Sequence, residues 1–370
     1  MIYSIYPSAD ATIYEASSST VVGITNPSTM NTGLDAILDI AKEFDTNSTA
    51  SNSRILIKFD ITPISASVAS GTITSPKYYL DLFTTEVDEI PVNYTLYAYP
   101  ISQSWNMGTG RYGDSPQTEN GVSWKYRLNS TTTSSAWATA SFAANTTGSH
   151  NTTPGGGNWY TNYVASQSFN YSTTDIRMDV TSIVNAWITG SIPNEGFIVK
   201  KVATDESGVE IFNSLKFFSR DTNTIYPPKL EVAWDDSVFV TGSLKALSDI
   251  WNGVVYFTNN QVNYSQNSKA QLRVASRAKY PVRTFETQSN LLIVNHLPSS
   301  SFYAIKALDS EDYIIPFSDY TKISCDGVSN YFNLWMDGLQ PERYYRFLIK
   351  IETGSLVNIV DNDFIFKVIR

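Results

Sequence analysis

The stretch that decides the fold is residues 175–201, DIRMDVTSIVNAWITGSIPNEGFIVKK. Most of the chain alternates apolar and polar residues, as half-buried β-strands do, but in this stretch the period changes. Its apolar residues recur at the spacing of one helix face: Val180, Ile183, Val184, Trp187 and Ile188. Asp179 or Thr181 is suited to cap the start of such a helix, and Gly190 stands where a glycine often ends one. The stretch predicts one short amphipathic helix in a chain that otherwise reads as strands.

The composition favours an all-β protein. The chain has 370 residues, of which 42% are hydrophobic, 13% aromatic and 16% charged, which is typical of a folded chain rather than a disordered one. Short apolar runs rich in β-branched and aromatic residues are separated by Gly, Pro, Asn and Ser. Gly121–Tyr126 is among the strands that this pattern predicts, whereas Leu244–Trp251 is interpreted as a helical turn.

Charge divides the chain into two regions. The net charge is −9, yet residues 237–370 hold 13 Lys and Arg against 12 Asp and Glu, so the acidic excess lies in residues 1–236. We therefore predict two domains, residues 1–236 and residues 237–370. The acidic balance excludes nucleic acid as a partner, because such binding needs a basic surface.

Several features that the sequence lacks argue against further classes of protein. Cys325 is the sole cysteine, which excludes an intrachain disulfide framework and leaves a reactive thiol or a small buried hydrophobe. Residues 1–14 have neither the basic nor the apolar region of a signal peptide, and no apolar run reaches the ~18 residues of a membrane span. We expect synthesis and folding in a cytoplasm, with no membrane partner.

Seven motifs follow one another in residues 1–235. They are Ala9–Tyr14, Asn31–Gly33 with Leu38–Ile40, Ser53–Asp60, Asp179–Gly190, Asn194–Phe197, Phe217–Arg220 and Pro228–Val232. As an ordered set they resemble the DNRLRE domain family, which is related to carbohydrate-binding modules. The resemblance implies an N-terminal jelly-roll β-sandwich whose open end is capped by the helix. The polar insertion at residues 129–158 departs from the family pattern.

The second region carries a different resemblance. Gly338–Glu352 is similar to the late strand of fibronectin type III and immunoglobulin-like modules, in which a leucine and a proline precede a strand led by tyrosine. The matching residues are Leu339, Pro341 and Tyr345. Together with several short strands separated by turn residues, this predicts a smaller immunoglobulin-like β-sandwich in residues 237–370.

Catalytic chemistry is poorly supported by the sequence. There is no nucleophile elbow, phosphate-binding loop or zinc-protease motif, and His150 and His296 lie in different predicted domains. We predict no enzyme activity, no catalytic residue, no cofactor and no metal centre. A structural Ca²⁺ near Asp10 or Asp39 stays open.

Loop residues provide the remaining candidates for a site. The acidic run Glu86–Glu89 would suit glycoside hydrolysis, but between two strands it is better interpreted as a solvated turn. The insertion at residues 129–158 would contact a partner or be a tolerated surface excursion. Four aromatic residues in loops are candidates for contact with a glycan or a partner, the alternative being that they pack the insertion against the sandwich: Tyr112, Trp137, Trp159 and Tyr160.

Two functions from different classes remain. The first is a non-enzymatic structural subunit of a tailed bacteriophage particle, located in the virion as a neck, tail, fibre or decoration protein. The chain as a whole resembles structural proteins of such phages, and its partners would be other virion proteins and further copies of itself. The alternative is a carbohydrate-binding module that contacts host-surface or environmental glycans.

Overall fold

The computed structural model describes residues 1–17, 19, 24–44, 49–87, 94–138, 155–169, 175–208, 212–281, 289 and 293–370. Strands account for 46% of the chain and helices for 10%, which confirms the all-β fold class. None of the helices in these ranges is long and apolar enough to cross a membrane.

The chain forms two compact units. The N-terminal unit comprises Ile5–Thr72 and Lys77–Glu231, and the C-terminal unit comprises Met1–Ser4, Ile73–Pro76 and Val232–Arg370. These bounds differ from the predicted division, because two short segments from the first 76 residues and residues 232–236 belong to the C-terminal unit. Whether residues 1–236 and 237–370 fold independently stays a prediction.

Fourteen strands lie in the described part of residues 1–233. They are β1 (Ile2–Ile5), β2 (Pro7–Tyr14), β3 (Ile37–Phe44), β4 (Ala50–Phe59), β5 (Lys77–Leu82), β6 (Thr84–Val87), β7 (Tyr94–Pro100), β8 (Tyr126–Asn129), β9 (Ser134–Ala136), β10 (Ala165–Phe169), β11 (Ile176–Asp179), β12 (Phe197–Lys201), β13 (Phe212–Phe218) and β14 (Lys229–Ala233). The larger sheet has the order β10-β7-β12-β4-β3-β13-β6, with β2 also paired to β4. A second sheet places β5 between β14 and β11, and β8 and β9 form a hairpin.

Register in the larger sheet decides which residues share a face. Leu56 of β4 lies opposite Ala11 of β2 and Ile198 of β12, so these three side chains project from one face. Phe59 and Phe197 are fully buried on the other face, with ring centroids 6.2 Å apart. The sheet is therefore apolar on both sides, and each side needs a cover.

Three α-helices lie in the described ranges: α1 (Thr62–Ala69), α2 (Thr181–Ile188) and α3 (Ala203–Ser207). Helix α2 confirms the helix predicted from the change of period, and Asp179 Oδ1 accepts a hydrogen bond from the Thr181 N–H at 2.9 Å. Its buried face includes Trp187, whose ring lies 4.6 Å from that of Phe197. Short 3₁₀ helices occur at Pro27–Thr29, Asp319–Thr321 and Met336–Gly338.

Twelve further strands follow in the described part of residues 237–370. They are β15 (Phe239–Val240), β16 (Lys245–Ala246), β17 (Gly253–Phe257), β18 (Asn263–Ser265), β19 (Lys269–Ala278), β20 (Asn295–His296), β21 (Ser301–Ala307), β22 (Tyr313–Ile315), β23 (Ser324–Asp326), β24 (Asn330–Trp335), β25 (Tyr344–Thr353) and β26 (Leu356–Ile369). One sheet has the order β15-β23-β24-β19-β20-β16, with β17 on β19, and the other has the order β18-β26-β25-β21-β22.

Aromatic stacking fills the core of the C-terminal unit. Tyr303 and Phe332 stack with centroids 4.1 Å apart, and Phe347 and Phe366 with centroids 4.3 Å apart. Tyr345 donates its hydroxyl hydrogen to the Gln340 carbonyl at 2.8 Å, the bond that defines the tyrosine corner of immunoglobulin-like sandwiches. This contact supports the predicted immunoglobulin-like arrangement, which stays a prediction, as does the jelly roll of the N-terminal unit.

Two local predictions are wrong. Gly121–Tyr126 is irregular rather than a strand up to Lys125, because its backbone groups bond to loop partners, as when Val122 N–H donates to the Asn106 carbonyl at 2.7 Å. Leu244–Trp251 is not a helical turn, since β16 forms there and pairs with β20. Helix α1 carries little apolar periodicity and has one buried residue, Ile64, which explains why the sequence pattern missed it.

Candidate functional site

One face of the larger sheet is covered by residues 101–138 and 155–164, which lie between β7 and β10. Their tryptophans pack on the face that Leu56 and Ile198 share, in a buried cluster that also contains Ala11 and Ile13. The members contributed by these residues are Ile101, Trp105, Val122, Trp124, Trp137 and Trp159. In addition to the two sheets, residues 101–138 and 155–164 therefore form a third layer of the N-terminal unit.

This packing determines which of the four predicted contact residues are exposed. Trp137, Trp159 and Tyr160 are 3%, 8% and 3% exposed, and Tyr112 is 46% exposed. The Trp137 indole N–H donates to the Ser123 carbonyl at 2.9 Å. A ring that stacks on a sugar must offer a face to solvent, so burial favours the packing alternative for Trp137, Trp159 and Tyr160, and Tyr112 is the exposed member of the four.

Asn31, which precedes β3, holds three backbone groups of this third layer. Its amide nitrogen donates to the carbonyls of Met107 and Val122 at 2.7 and 2.9 Å, and its carbonyl oxygen accepts from the Gly110 N–H at 2.7 Å. A Cβ on Gly33 would lie 2.1 Å from the Met107 carbonyl oxygen, so only glycine allows the approach. The Asn31–Gly33 motif thus has a structural role.

Tyr112 lies in an aromatic and acidic surface. Its ring is 5.4 Å from that of Tyr14, and its N–H donates to Asp35 Oδ2 at 3.1 Å. Burial raises the pKa of Asp39 to about 6, although the Ser214 hydroxyl donates to this carboxylate. Burial and the neighbouring carboxylates, Glu43 first among them, also raise the pKa of Tyr112. This surface offers one open ring and several hydrogen-bond acceptors.

A buried ionic site centres on Arg54 of β4. Its guanidinium forms a two-pronged pair with Glu206 of α3, with Nε to Oε1 at 3.0 Å and Nη2 to Oε2 at 2.8 Å. Its Nη1 donates to the Gly156 carbonyl at 2.5 Å, and its carbon lies 4.4 Å from the Trp124 ring centroid. Lys200 adds a second cation 2.7 Å from Glu206 Oε2. Arg54 therefore joins β4, the third layer and α3.

Sequence reasoning did not select this ionic site. Glu206 stands in an unremarkable polar stretch, and its partners are 152 and 6 residues away along the chain. One signal was available, because Lys200 and Lys201 directly follow the apolar run Phe197–Val199, which is typical of a buried strand. Lysines in a fully buried strand need counter-charges from elsewhere in the fold.

A second charged network joins side chains of β14, β5 and β11. Arg177 is 2.7 Å from Glu231 and 3.6 Å from Asp81, and Lys229 is 3.6 and 3.7 Å from the same two acids. Burial raises the pKa of Asp81, while the two cations oppose the shift. Two carboxylates and two cations balance one another, as in a structural network.

The remaining sequence candidates are dispersed. Within the described ranges, no three His, Cys, Asp or Glu residues are grouped so as to hold a metal ion. Asp10 accepts a hydrogen bond from the Arg220 N–H at 2.7 Å. His296 lies beside Phe239, with centroids 5.8 Å apart, and Cys325 is a buried free thiol.

Some candidates cannot be placed. Asp88, Glu89 and His150 lie outside the described residues, as do residues 139–154 of the polar insertion and the side chain of Glu86. The described start of the insertion contains the β8–β9 hairpin. Neither role proposed for the insertion is decided by this part.

An apolar strand edge distinguishes the C-terminal unit. The tip of the β25–β26 hairpin exposes Leu356, Val357 and Ile359 at 50%, 45% and 50%. Residues 354–360, GSLVNIV, contain no charged residue. β26 pairs with β25 along one side. Along its other side, the described part of the chain provides β18, which pairs only with Lys367–Ile369. The hairpin therefore presents apolar side chains along a strand edge.

Comparison with known proteins adds no relative to these observations: no family model matches the chain, and no curated protein matches it. The resemblances described above rest on the quoted motifs alone.

Proposed function

We propose that this chain is a non-enzymatic structural subunit that works by protein–protein assembly, in the particle of a tailed bacteriophage. The observation that carries the proposal is the uncharged apolar edge at Leu356–Val360. Exposed strand edges of this kind promote association, and soluble monomers usually protect them with charges, prolines or bulges. Residues 354–360 carry no charge or proline, and the charges of Asp361 and Asp363 and the register shift of β26 follow only after Val360. Neighbouring subunits would cover this uncharged tip.

The charge distribution indicates which unit of the subunit faces the particle. The C-terminal region is close to neutral whereas residues 1–236 carry the acidic excess, so the C-terminal unit meets less repulsion from other acidic proteins. We propose that it docks on the particle and that the N-terminal unit is directed outward or toward another copy. Neck, tail, fibre and decoration positions are all compatible with this orientation.

The assembly role is tested at two levels. Sedimentation velocity of the wild type should show concentration-dependent association that the double variant Val357→Asn/Ile359→Asn abolishes. Val164→Asn is the matched control, because Val164 is 48% exposed in the other unit. Association that survives the double variant, or a purified phage particle that lacks the chain by mass spectrometry and cryo-EM, refutes the proposal.

Glycan contact is the second candidate function. It is favoured by the open Tyr112 ring beside Tyr14 and the carboxylate of Asp35. Aromatic faces stack on sugars, and carboxylates accept hydrogen bonds from hydroxyl groups. A glycan array should then show binding that Tyr112→Ala removes and Tyr313→Ala, at the same 46% exposure in the other unit, retains. Equal binding by both variants excludes a Tyr112 site.

A further inference from the structure

Helix α3 is held in place almost entirely by polar contacts. None of its residues is buried, so no apolar side chain anchors it. Lys42 Nζ donates to the Asp205 carbonyl at 2.6 Å and also to the Gly208 carbonyl. Lys200 and Arg54 bind the Glu206 carboxylate. The attachment of α3 therefore depends on cations that project from the sheet.

These cations form a basic cluster inside the N-terminal unit. Lys42, Arg54 and Lys200 are 0%, 5% and 2% exposed. Buried charges are costly unless opposite charges meet them at close range. Among the described residues, Glu206 is an acid in direct contact with two members of this cluster, Arg54 and Lys200. The cluster needs an anion, and a short helix with no apolar anchor supplies it.

The geometry around Glu206 is that of a carboxylate receptor. The planar guanidinium of Arg54 meets both carboxylate oxygens, at 3.0 and 2.8 Å, and Lys200 contacts one of them at 2.7 Å. Trp124 and Trp159 lie 4.4 and 5.1 Å from the guanidinium carbon and orient it. A fork packed against aromatic rings recognises a planar carboxylate better than a spherical anion.

We propose that Arg54, Lys200, Trp124 and Trp159 form a binding site for an organic carboxylate, which the chain fills with its own Glu206. The external ligand is a carboxylate borne by an acidic sugar or by an acidic protein side chain, and it takes the place of Glu206 when α3 is displaced. Glu206 competes from within the molecule, at an effective concentration of about millimolar or above. Weak external carboxylates therefore bind only when Glu206 is removed.

Chemical rescue of Glu206→Ala tests this site. The variant should have a lower Tm than the wild type, and acetate should restore it, by about 3–5 °C for each tenfold increase above half-saturation. Chloride at equal ionic strength should not restore the Tm. Glucuronate and N-acetylglutamate amide then distinguish a sugar source from a protein source of the carboxylate. The wild type should show no such response at the same concentrations.

Two controls keep the result specific. Glu195→Ala removes a carboxylate that pairs with Lys58 at 2.7 Å outside this cluster, and its Tm should not respond to acetate. Arg54→Lys in the Glu206→Ala background should lose the rescue, because lysine lacks the fork. A folded Glu206→Ala that ignores acetate overturns the proposal, as does equal rescue by chloride.

A failure of Glu206→Ala to fold is also informative. Refolding the variant from denaturant with and without acetate then gives the answer: a higher yield with acetate supports the site, and equal yields overturn it. The inference is independent of the assembly role, because it uses none of the residues of the β25–β26 hairpin.

Discussion

Replacing Trp187 by alanine tests whether α2 anchors the core of the N-terminal unit. Trp187 is 6% exposed, and its ring lies 4.6 Å from that of Phe197. Burying an indole removes roughly 150–250 Å² from water, which at about 25 cal/mol per Å² corresponds to about 4–6 kcal/mol. We therefore expect a large loss of stability.

One feature of the site lowers the expected loss of stability of the Trp187→Ala variant. The Trp187 Nε1–H is buried and has no hydrogen-bond acceptor in the described part of the chain. An unsatisfied buried donor costs about 1–3 kcal/mol, which the alanine variant recovers. The expected loss in the free energy of unfolding is thus about 3 kcal/mol. Trp187→Phe keeps a ring and removes the donor, so it should stay within about 1 kcal/mol of the wild type.

Guanidinium denaturation followed by circular dichroism measures both variants. Trp251→Ala is the matched control, because Trp251 is 59% exposed, and its effect should lie within about 0.5 kcal/mol. A loss below about 1 kcal/mol for Trp187→Ala would refute the view that α2 is a core element. A Trp187→Phe variant as unstable as Trp187→Ala would refute the contribution of the unsatisfied donor.

Three further predictions concern single contacts. Burial raises the pKa of Asp10 to about 7, whereas the unfolded chain releases this proton near pH 4. The folded state therefore retains a proton that the unfolded state has lost, and the wild type loses stability as the pH rises from about 4 to about 7. The stability of Asp10→Asn relative to the wild type should therefore increase by up to about 1.4 kcal/mol per pH unit across that window in urea titrations, and a pH-independent difference would contradict it. Gly33→Ala should lower Tm by several degrees, since its Cβ would lie 2.1 Å from the Met107 carbonyl oxygen, and an unchanged Tm would show that the third layer can shift. Tyr345→Phe removes the bond to the Gln340 carbonyl and should cost about 1 kcal/mol in chemical denaturation, with no effect if the corner is not structural.

The sequence alone determined the features that depend on neighbours along the chain. The alternation of apolar and polar residues identified an all-β protein, and the change of period at residues 180–188 located α2, which spans Thr181–Ile188. Periodicity is a local property, because each residue's face follows from the geometry of its own strand or helix. The pattern failed where loop partners replaced strand pairing, as at Gly121–Tyr126.

Tertiary structure decided everything that joins distant segments. The exposure of Tyr112 and the burial of Trp137 depend on whether the third layer lies on the sheet, and a single sequence left both outcomes open. Arg54 meets Gly156 and Glu206, which are 102 and 152 residues away. No local pattern encodes such partners, because the free energy that selects them comes from desolvating and pairing charges that only the folded chain brings together.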